Sequence, residues 1–519
     1  MFGFGPAGQV TNNGLVDFRT WVRAGSALSA TFQYVIYAGT QTFSTKPTDQ
    51  LANQIFRGTL SSYNFKRSII GGFIGGMATG DGQLVIDNGD AFYDFLPNQY
   101  SISGRMIDLK LGRSTDSYDD YFPVNKITAS DWNVDESNVN ITIRDFGYRL
   151  AVPVQPNLYA GSGGIDGGSD LAGKRIPRCW GECLNIAPPL LVPASLIYQV
   201  NDGSVEDVVA VYDRGVSLTK GSDYADYAAL VAAAVTAGQY GTCLALGLFK
   251  LGSTPAGTVT ADIHGSNGDG YLETTADICR DVLETVLSAA EIDTTSFDAV
   301  NSLQPATIGY YIGENETPTV ADVCANIMTG VGGWLGFTRL GLAYVSIFVA
   351  PTGTAADSFT RTDIFGEAKR EPLSGNLTPA VWRWRVSYQR VWQQQTDLAT
   401  SVSADRKAFV GTQYRLAEAS TVSIQTDYPT AKDQEPVQSY FANEADAQDE
   451  ADRLLALYRT TRRFYRLTLP RRILLREIGD IISITYPRWD LSSGRLMTIL
   501  EISESVDFDG DNVEVVCYG

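Results

Sequence analysis

Side chains suited to chemistry are few in this chain, and they are scattered. One histidine, His264, stands among 519 residues. It lies in TADIHGSNGDG, whose Gly, Asn and Asp content predicts a turn and a loop histidine. Chemistry that draws two histidines from one chain is excluded, which covers many zinc peptidases and the Cys-His-His cell-wall peptidases. A Ser-His-Asp triad would have to use His264 itself, and no GxSxG elbow occurs. Of the six cysteines, Cys179 and Cys183 sit four apart in CWGEC and could hold half of a metal site. The other four are single and no CxxC is present, so small buried hydrophobes with free thiols are expected. Asp507, Asp509 and Asp511 in DFDGDN resemble part of a calcium loop. The twelfth position is Tyr518 rather than a glutamate, and strand signals flank the segment, so a hairpin turn is the better reading. Acidic pairs abound, and a glycosidase-type carboxylate couple fits the composition without any pair standing out. The sequence therefore assigns no catalytic residue, no metal ligand and no cofactor.

Charge narrows the partners. Forty basic and 59 acidic residues give a formal charge of −19, which a phosphate backbone repels unless the basic groups cluster. They cluster once, at Arg453, Arg459, Arg462, Arg463, Arg466, Arg471, Arg472 and Arg476. Two readings stand side by side: a solvated helix end and strand face, or a contact surface for an acidic neighbour, either another copy or a partner. No apolar run approaches the ~18 residues that span a bilayer, and MFGFGP at the start does not read as a secretion signal, so synthesis in a cytoplasm is expected.

The elements that would position these groups alternate between two patterns. Residues 1–156 read as β: TFQYVIY at Thr31 to Tyr37 is β-branched and aromatic, and Leu84 and Ile86 alternate ahead of Asn88-Gly89, a hairpin dipeptide. Val139, Ile141 and Ile143 alternate in NVNITIRDF. Residues 157–173 (NLYAGSGGIDGGSDLAG) form a Gly-rich linker or long loop. No helix follows them, which removes a phosphate-cradling loop from consideration. Residues 174–265 mix short strands with a predicted helix at Ala225 to Ala237.

Residues 266–368 carry two helices with matching starts, TTADIC and TVADVC. Thr274-x-x-Asp277 precedes Cys279, Val282, Leu283 and Val286, and Thr319-x-x-Asp322 precedes Val320, Val323, Cys324 and Ile327, with Gly330 placed to end the second. The match is either an echo of two related units or a coincidence of two capped amphipathic helices. GGWLGFTRLGLAYVSIFV then reads strand, turn, strand. Residues 369–519 return to β with VWRWRVSYQRVW, interrupted by a helix from Glu444 to Thr460 that gathers Ala447, Ala451, Leu454, Leu455 and Tyr458 on one face. Strands resume at Ile481 to Tyr486, Leu496 to Ile502 and Val513 to Cys517. The expected class is α+β, mainly β.

Two stretches resemble the tail baseplate hub proteins of long-tailed bacteriophages. In residues 173–219 the likeness is carried by Pro177, Pro193, Tyr198, Asp202, Gly203, Tyr212, Asp213 and Gly215. In RLLALY and LREIGDIISITYPRWDLSSGRLMTILEI it is carried by Gly479, Asp480, Pro487 and Gly494. FSTKPTDQLANQIFRGTL and GTVTADIHG are weaker likenesses. The resemblance implies two related β-barrel domains flanking a mixed α/β middle region. It further implies a homotrimeric, pseudo-sixfold ring at the virion tail tip, between the tail tube or distal tail protein and the tip or fibre proteins. The tape measure protein is a further implied neighbour, and DNA would pass through the ring without specific binding. It implies no enzyme, and no membrane anchor. The rival readings are a tail-associated wall hydrolase using paired carboxylates and a host-surface binding tip protein.

Overall fold

The computed structural model describes residues 13–22, 33–69, 75–113, 115–268, 270–371, 380–460, 462–506 and 512–519. Asp507, Asp509 and Asp511 lie outside them, as do Thr31 and Phe32 of the first predicted strand and the MFGFGP start. Strand takes 41% of the structure and helix 20%, so the molecule is mainly β with several sheets.

The largest sheet among the described residues has 14 strands and takes strands from both the first and the last β-regions. Its antiparallel path begins at Gln33–Gly39, Asn13–Val22, Met106–Gly112, Phe122–Val134 and Asn138–Arg144, then runs through Thr79–Asp87 to Leu60–Ser68. There it crosses to the far end of the sequence. Leu60–Ser68 pairs with Arg495–Val506, with Arg67 opposite Ile502 and Phe65 opposite Glu504. Asn512–Tyr518, Phe464–Pro470 and Phe365–Glu371 complete the path. Among the described residues this pairing is an open path. Alternation explains its face: Val139, Ile141 and Ile143 are fully buried while Thr142 between the last two is exposed.

The middle of the chain builds two five-stranded sheets between residues 178 and 312. One runs Val216–Ser217, Val205–Asp213, Val259–Ser266, Arg178–Ile186, Gly309–Ile312. The glycines matched by the resemblance, Gly203, Gly215, Gly479 and Gly494, all take positive φ, from 80° to 114°. An L side chain is strained there, so turn geometry accounts for the residue type.

Both capped helices form where the pattern places them, at Thr275–Glu284 and Val320–Gly330. Thr319 Oγ1 accepts from Asp322 N (3.1 Å) while the Asp322 carboxylate accepts from Thr319 N (3.0 Å), a reciprocal cap that satisfies two orphan donors. The two helices lie against each other, with the Cys324 thiol pointing at the Cys279 carbonyl (3.8 Å). Glu444–Tyr458 is the longest helix among the described residues, and Ala447, Ala451, Leu454, Leu455 and Tyr458 are all buried.

Two local expectations are corrected. The predicted helix over Ala225 to Ala237 is only Tyr227–Ala232, capped by Asp226; with Leu230 as its one buried residue, it has too narrow an apolar face to continue. Asn88-Gly89 is not a two-residue hairpin. Asn88 is fully buried, and its amide holds the following loop by donating to Asp94 Oδ1 (2.8 Å) and accepting from Tyr93 N (2.9 Å). A helix at Thr294–Leu303, which sequence periodicity did not signal, packs on the strand Ala343–Ile347. The Gly-rich stretch 157–173 closes on itself: Tyr159 N donates to Lys174 O, Gly173 N donates to Tyr159 O, and Tyr159 and Leu171 join a small apolar core.

Candidate functional site

The strongest concentration of buried charge lies where the two chain ends meet. Tyr63, Phe65 and Arg67 alternate onto the inner side of Leu60–Ser68. Across the pairing, Glu504 comes from Arg495–Val506. A register shift between Pro123 and Asn125 turns the Asn125 amide into the same space. The turn after Ile473 supplies Glu477, and the tip of the Gly333–Phe337/Ala343–Ile347 hairpin supplies Arg339. N-terminal, middle and C-terminal chain thus contribute to one set.

Arg67 is ion-paired with Glu477, and its Nη2 stands 3.7 Å from Glu504 Oε1. Arg339 Nε is 3.3 Å from Glu477 Oε1, and its Nη1 donates to Pro123 O (2.9 Å). Asn125 Nδ2 donates to Tyr63 Oη (2.6 Å) and to Glu504. Two guanidinium groups and two carboxylates would balance if all were ionised. Burial works against that. Loss of hydration pushes the Glu504 carboxyl up to about 7, against the pull of Arg67 and the Asn125 bond. Burial also holds Tyr63 well above its ordinary value. Arg67 Nη2 and Glu504 Oε1 are beyond hydrogen-bond reach of each other and have no other hydrogen-bond partner among the described residues. This seam joins parts of the fold; its carboxylates are engaged by arginines rather than facing each other across an open cleft.

The arginine cluster does not form one surface. Arg453 makes a two-pronged bond with buried Glu450 (2.8 and 2.7 Å) and donates to Phe348 O (2.6 Å) and Val331 O (3.1 Å). Arg462 bonds Leu457 O, Arg466 engages Glu371, Glu501 and Glu514, and Arg472 engages Asp357 and Asp363 and lies over the Phe359 ring. These four work inside the chain. Arg463, Arg471 and Arg476 are half-buried, and Arg459, at the helix end, is exposed.

His264 is corrected from loop to strand. It lies within Val259–Ser266, opposite Glu182 on one side and Asp207 on the other, with its ring 5.6 Å from Tyr271. The hydrophobic alternation VTADI continues into it and outweighs the glycines that follow. Burial raises the Glu182 carboxyl, the imidazole opposing that shift. All six cysteines are buried and free. Desolvation raises the Cys183 thiol, which donates to Trp180 O (3.4 Å). Among the described residues no group of three or more His, Cys, Asp or Glu is placed to hold a metal ion. Sequence reasoning missed the seam, whose members are separated by up to hundreds of residues.

No family model matches the chain, and no curated protein matches it. Among solved structures it is similar to the tail protein from Neisseria meningitidis MC58, at 9% identity and TM-score 0.39, over 90% of this chain and 93% of that one. It is similar to the 43 kDa tail protein of prophage MuSo2 from Shewanella oneidensis, at 10% identity and TM-score 0.36, over 96% and 98%. A third likeness is to a chain of the native gene transfer agent virion, at 14% identity and TM-score 0.43, over 67% and 84%. None of these names is that of an enzyme, and overlaps this loose assign the chain to no family.

Proposed function

We propose that this chain is a non-catalytic structural subunit of a bacteriophage tail tip, a baseplate hub protein that acts by assembling into a ring. The observation that carries the reading is the layout of the chain. Its first and last β-regions meet in one sheet around an inserted α/β middle, and the segments resembling hub proteins fall in the middle and in the last β-region. The loose overlaps with tail-protein structures are not needed for it. In this reading residues 1–156 and 369–519 are the two related ring domains, and 174–265 and 266–368 form the insertion. Three copies then present six similar faces to a sixfold tail tube through closed, head-to-tail contacts. Tail tube or distal tail protein, tape measure protein and tip or fibre proteins are the neighbours. Arg459, with Arg463 and Arg476, contributes to a contact with an acidic face. The acidic excess lines the channel, so that DNA passes without adhering.

Native mass spectrometry with negative-stain imaging tests this. A ring with a central hole, at three times 56.3 kDa, is the expected species, alone or on mixing with the tail-tube protein. A monomer that stays monomeric with that partner, or a channel wall richer in basic than acidic groups, would overturn it.

A further inference from the structure

We propose that the long connection between the strands Val381–Tyr388 and Arg415–Ser420 is a clasp that fastens the middle of the chain to the last β-region and opens as one piece, with Arg406 as its catch. The two strands are antiparallel neighbours, Tyr388 standing opposite Arg415. Two residues suffice to join such a pair. Residues 389–414 stand in place of that turn, well beyond the ~12–15 residues above which a connection is usually functional.

The connection lies on the sheet that contains Arg178–Ile186, Val205–Asp213 and Val259–Ser266. Trp392 N donates to Leu184 O (3.1 Å), Gln393 N to Asn185 O (2.9 Å) and Ala399 N to Arg214 O (3.0 Å). Gly215 makes room for it, since a Cβ there would come within 2.6 Å of Leu398. Val402 packs at the same place and is buried. The Arg406 guanidinium sits 3.9 Å from the centre of the Tyr212 ring, donates to Asn185 Oδ1 (2.9 Å) and stands 3.8 Å from Asp262. Tyr212 Oη and Asn185 N also donate to Asp262, each at 2.7 Å. One arginine thus closes a polar layer drawn from three strands.

The connection has bonds of its own that hold its shape away from the sheet. Val391 N donates to Gln413 O (2.7 Å) and Gln395 N to Val410 O (3.1 Å), and Ser403 caps the helix Ala404–Gly411. Its grip on the sheet is mostly polar. Between Gln393 and Val410 only Gln395, Val402 and Val410 are buried. The outer tie, Arg214 to Asp397, has an aspartate side chain that is 84% exposed, so it adds little. Gln395 Nε2 and Arg406 Nε are buried without a hydrogen-bond partner among the described residues, which weakens the layer further. A segment with few buried apolar contacts opens before the rest of a fold. Trp392 is the pivot: its ring packs against Tyr310, Tyr311 and Tyr440, with centroids 5.6, 6.0 and 6.1 Å away. The clasp uses one copy of the chain and stands independently of the ring reading.

The test is thiol labelling of the full chain carrying Val402→Cys, under native conditions. All six native cysteines are buried and serve as the internal reference for global unfolding. The introduced thiol should label at least about tenfold faster than they do, because it is uncovered by local opening. Adding Arg406→Gln should speed that labelling about fivefold or more, leaving the native thiols and the urea unfolding curve unmoved. Asp397→Asn, at an exposed site, should act in the same direction to a smaller extent, as should salt at about 1 M. Labelling of the introduced thiol in step with the native six would overturn the proposal, since the connection would then be a permanent tie. So would an Arg406→Gln variant that speeds all thiols alike, or one that with Asp397→Asn leaves the introduced thiol unaffected.

Discussion

Replacing Glu504 with glutamine isolates the protonation of the buried seam. Glutamine keeps the shape of the neutral acid and removes its charge. The ordinary carboxyl value is 4.5 and the folded chain pushes Glu504 up to about 7. At about 1.36 kcal/mol per pH unit, that displacement corresponds to roughly 3 kcal/mol. The direction follows from the sign. A carboxyl raised in the folded state adds its stability in full below the unfolded value, and that contribution fades as pH rises through 7. The glutamine variant does not titrate. Its stability relative to the parent should therefore climb by up to roughly 3 kcal/mol between pH 4.5 and pH 8.

The groups facing Glu504 are Arg67, Glu477, Arg339, Tyr63 and Asn125, and both proteins carry all of them. Asp145, also pushed up to about 6 by burial, cancels in the comparison. Urea unfolding followed by tryptophan fluorescence at several pH values gives the difference directly. Were the Arg67 ion pair to outweigh desolvation, the variant would instead lose ground as pH rises. That opposite slope would refute the reasoning.

Further perturbations address single contacts. Arg453→Met leaves Glu450 buried with, among the described residues, only Gln304 for a partner and should cost about 3–5 kcal/mol, part of which Glu450→Gln in the same chain should recover; thermal melts of the three variants measure it. Thr319→Ala removes the cap of Val320–Gly330 and should cost about 1 kcal/mol by urea titration. Gly309→Ala would set a Cβ 1.7 Å from the Glu182 carbonyl oxygen, so the strand pair Arg178–Ile186/Gly309–Ile312 should be lost and soluble yield should collapse. A zymogram on peptidoglycan should show no clearing, and clearing by the purified chain would favour the carboxylate-hydrolase reading.

How much of this was legible depended on range along the chain. Caps and helix faces are local, so Thr274, Thr319 and the apolar face of Glu444–Tyr458 could be read from spacing alone. The strand alternation of Val139, Ile141 and Ile143 was equally local. The helix Thr294–Leu303 was not visible because only Phe297 and Val300 are buried on it, too few to show a period. His264 and Asn88 misled for a related reason: their glycine-rich neighbours signal turns, whereas strand pairing and a buried amide network decide the outcome. The arginines clustered in sequence, but they fall on a helix, a strand and the turns beside them, and Arg453, Arg466 and Arg472 go to different carboxylates. The seam was out of reach altogether. Arg67 and Glu477 are 410 positions apart, and nothing in either neighbourhood marks the other.

That separation bears on how the fold would carry load. If the two β-regions were joined only through the middle of the chain, force on one would reach the other through covalent linkers. Here six residue pairs of Leu60–Ser68 and Arg495–Val506 connect them directly, and the inserted hairpin is tied in by Arg339 and by Trp334 pairing with Gly76. Non-local pairing of this kind is slow to form, because the chain must close a long loop before any contact rewards it. Once formed, it makes the ends of the chain part of one sheet. Removing the strands after residue 490 should therefore unsettle Leu60–Ser68 as well, since Tyr63, Phe65 and Arg67 would lose Glu504 and the strand that covers them. Limited proteolysis of such a truncation should cut near residues 60–68, a region the intact chain holds hydrogen-bonded between two neighbouring strands.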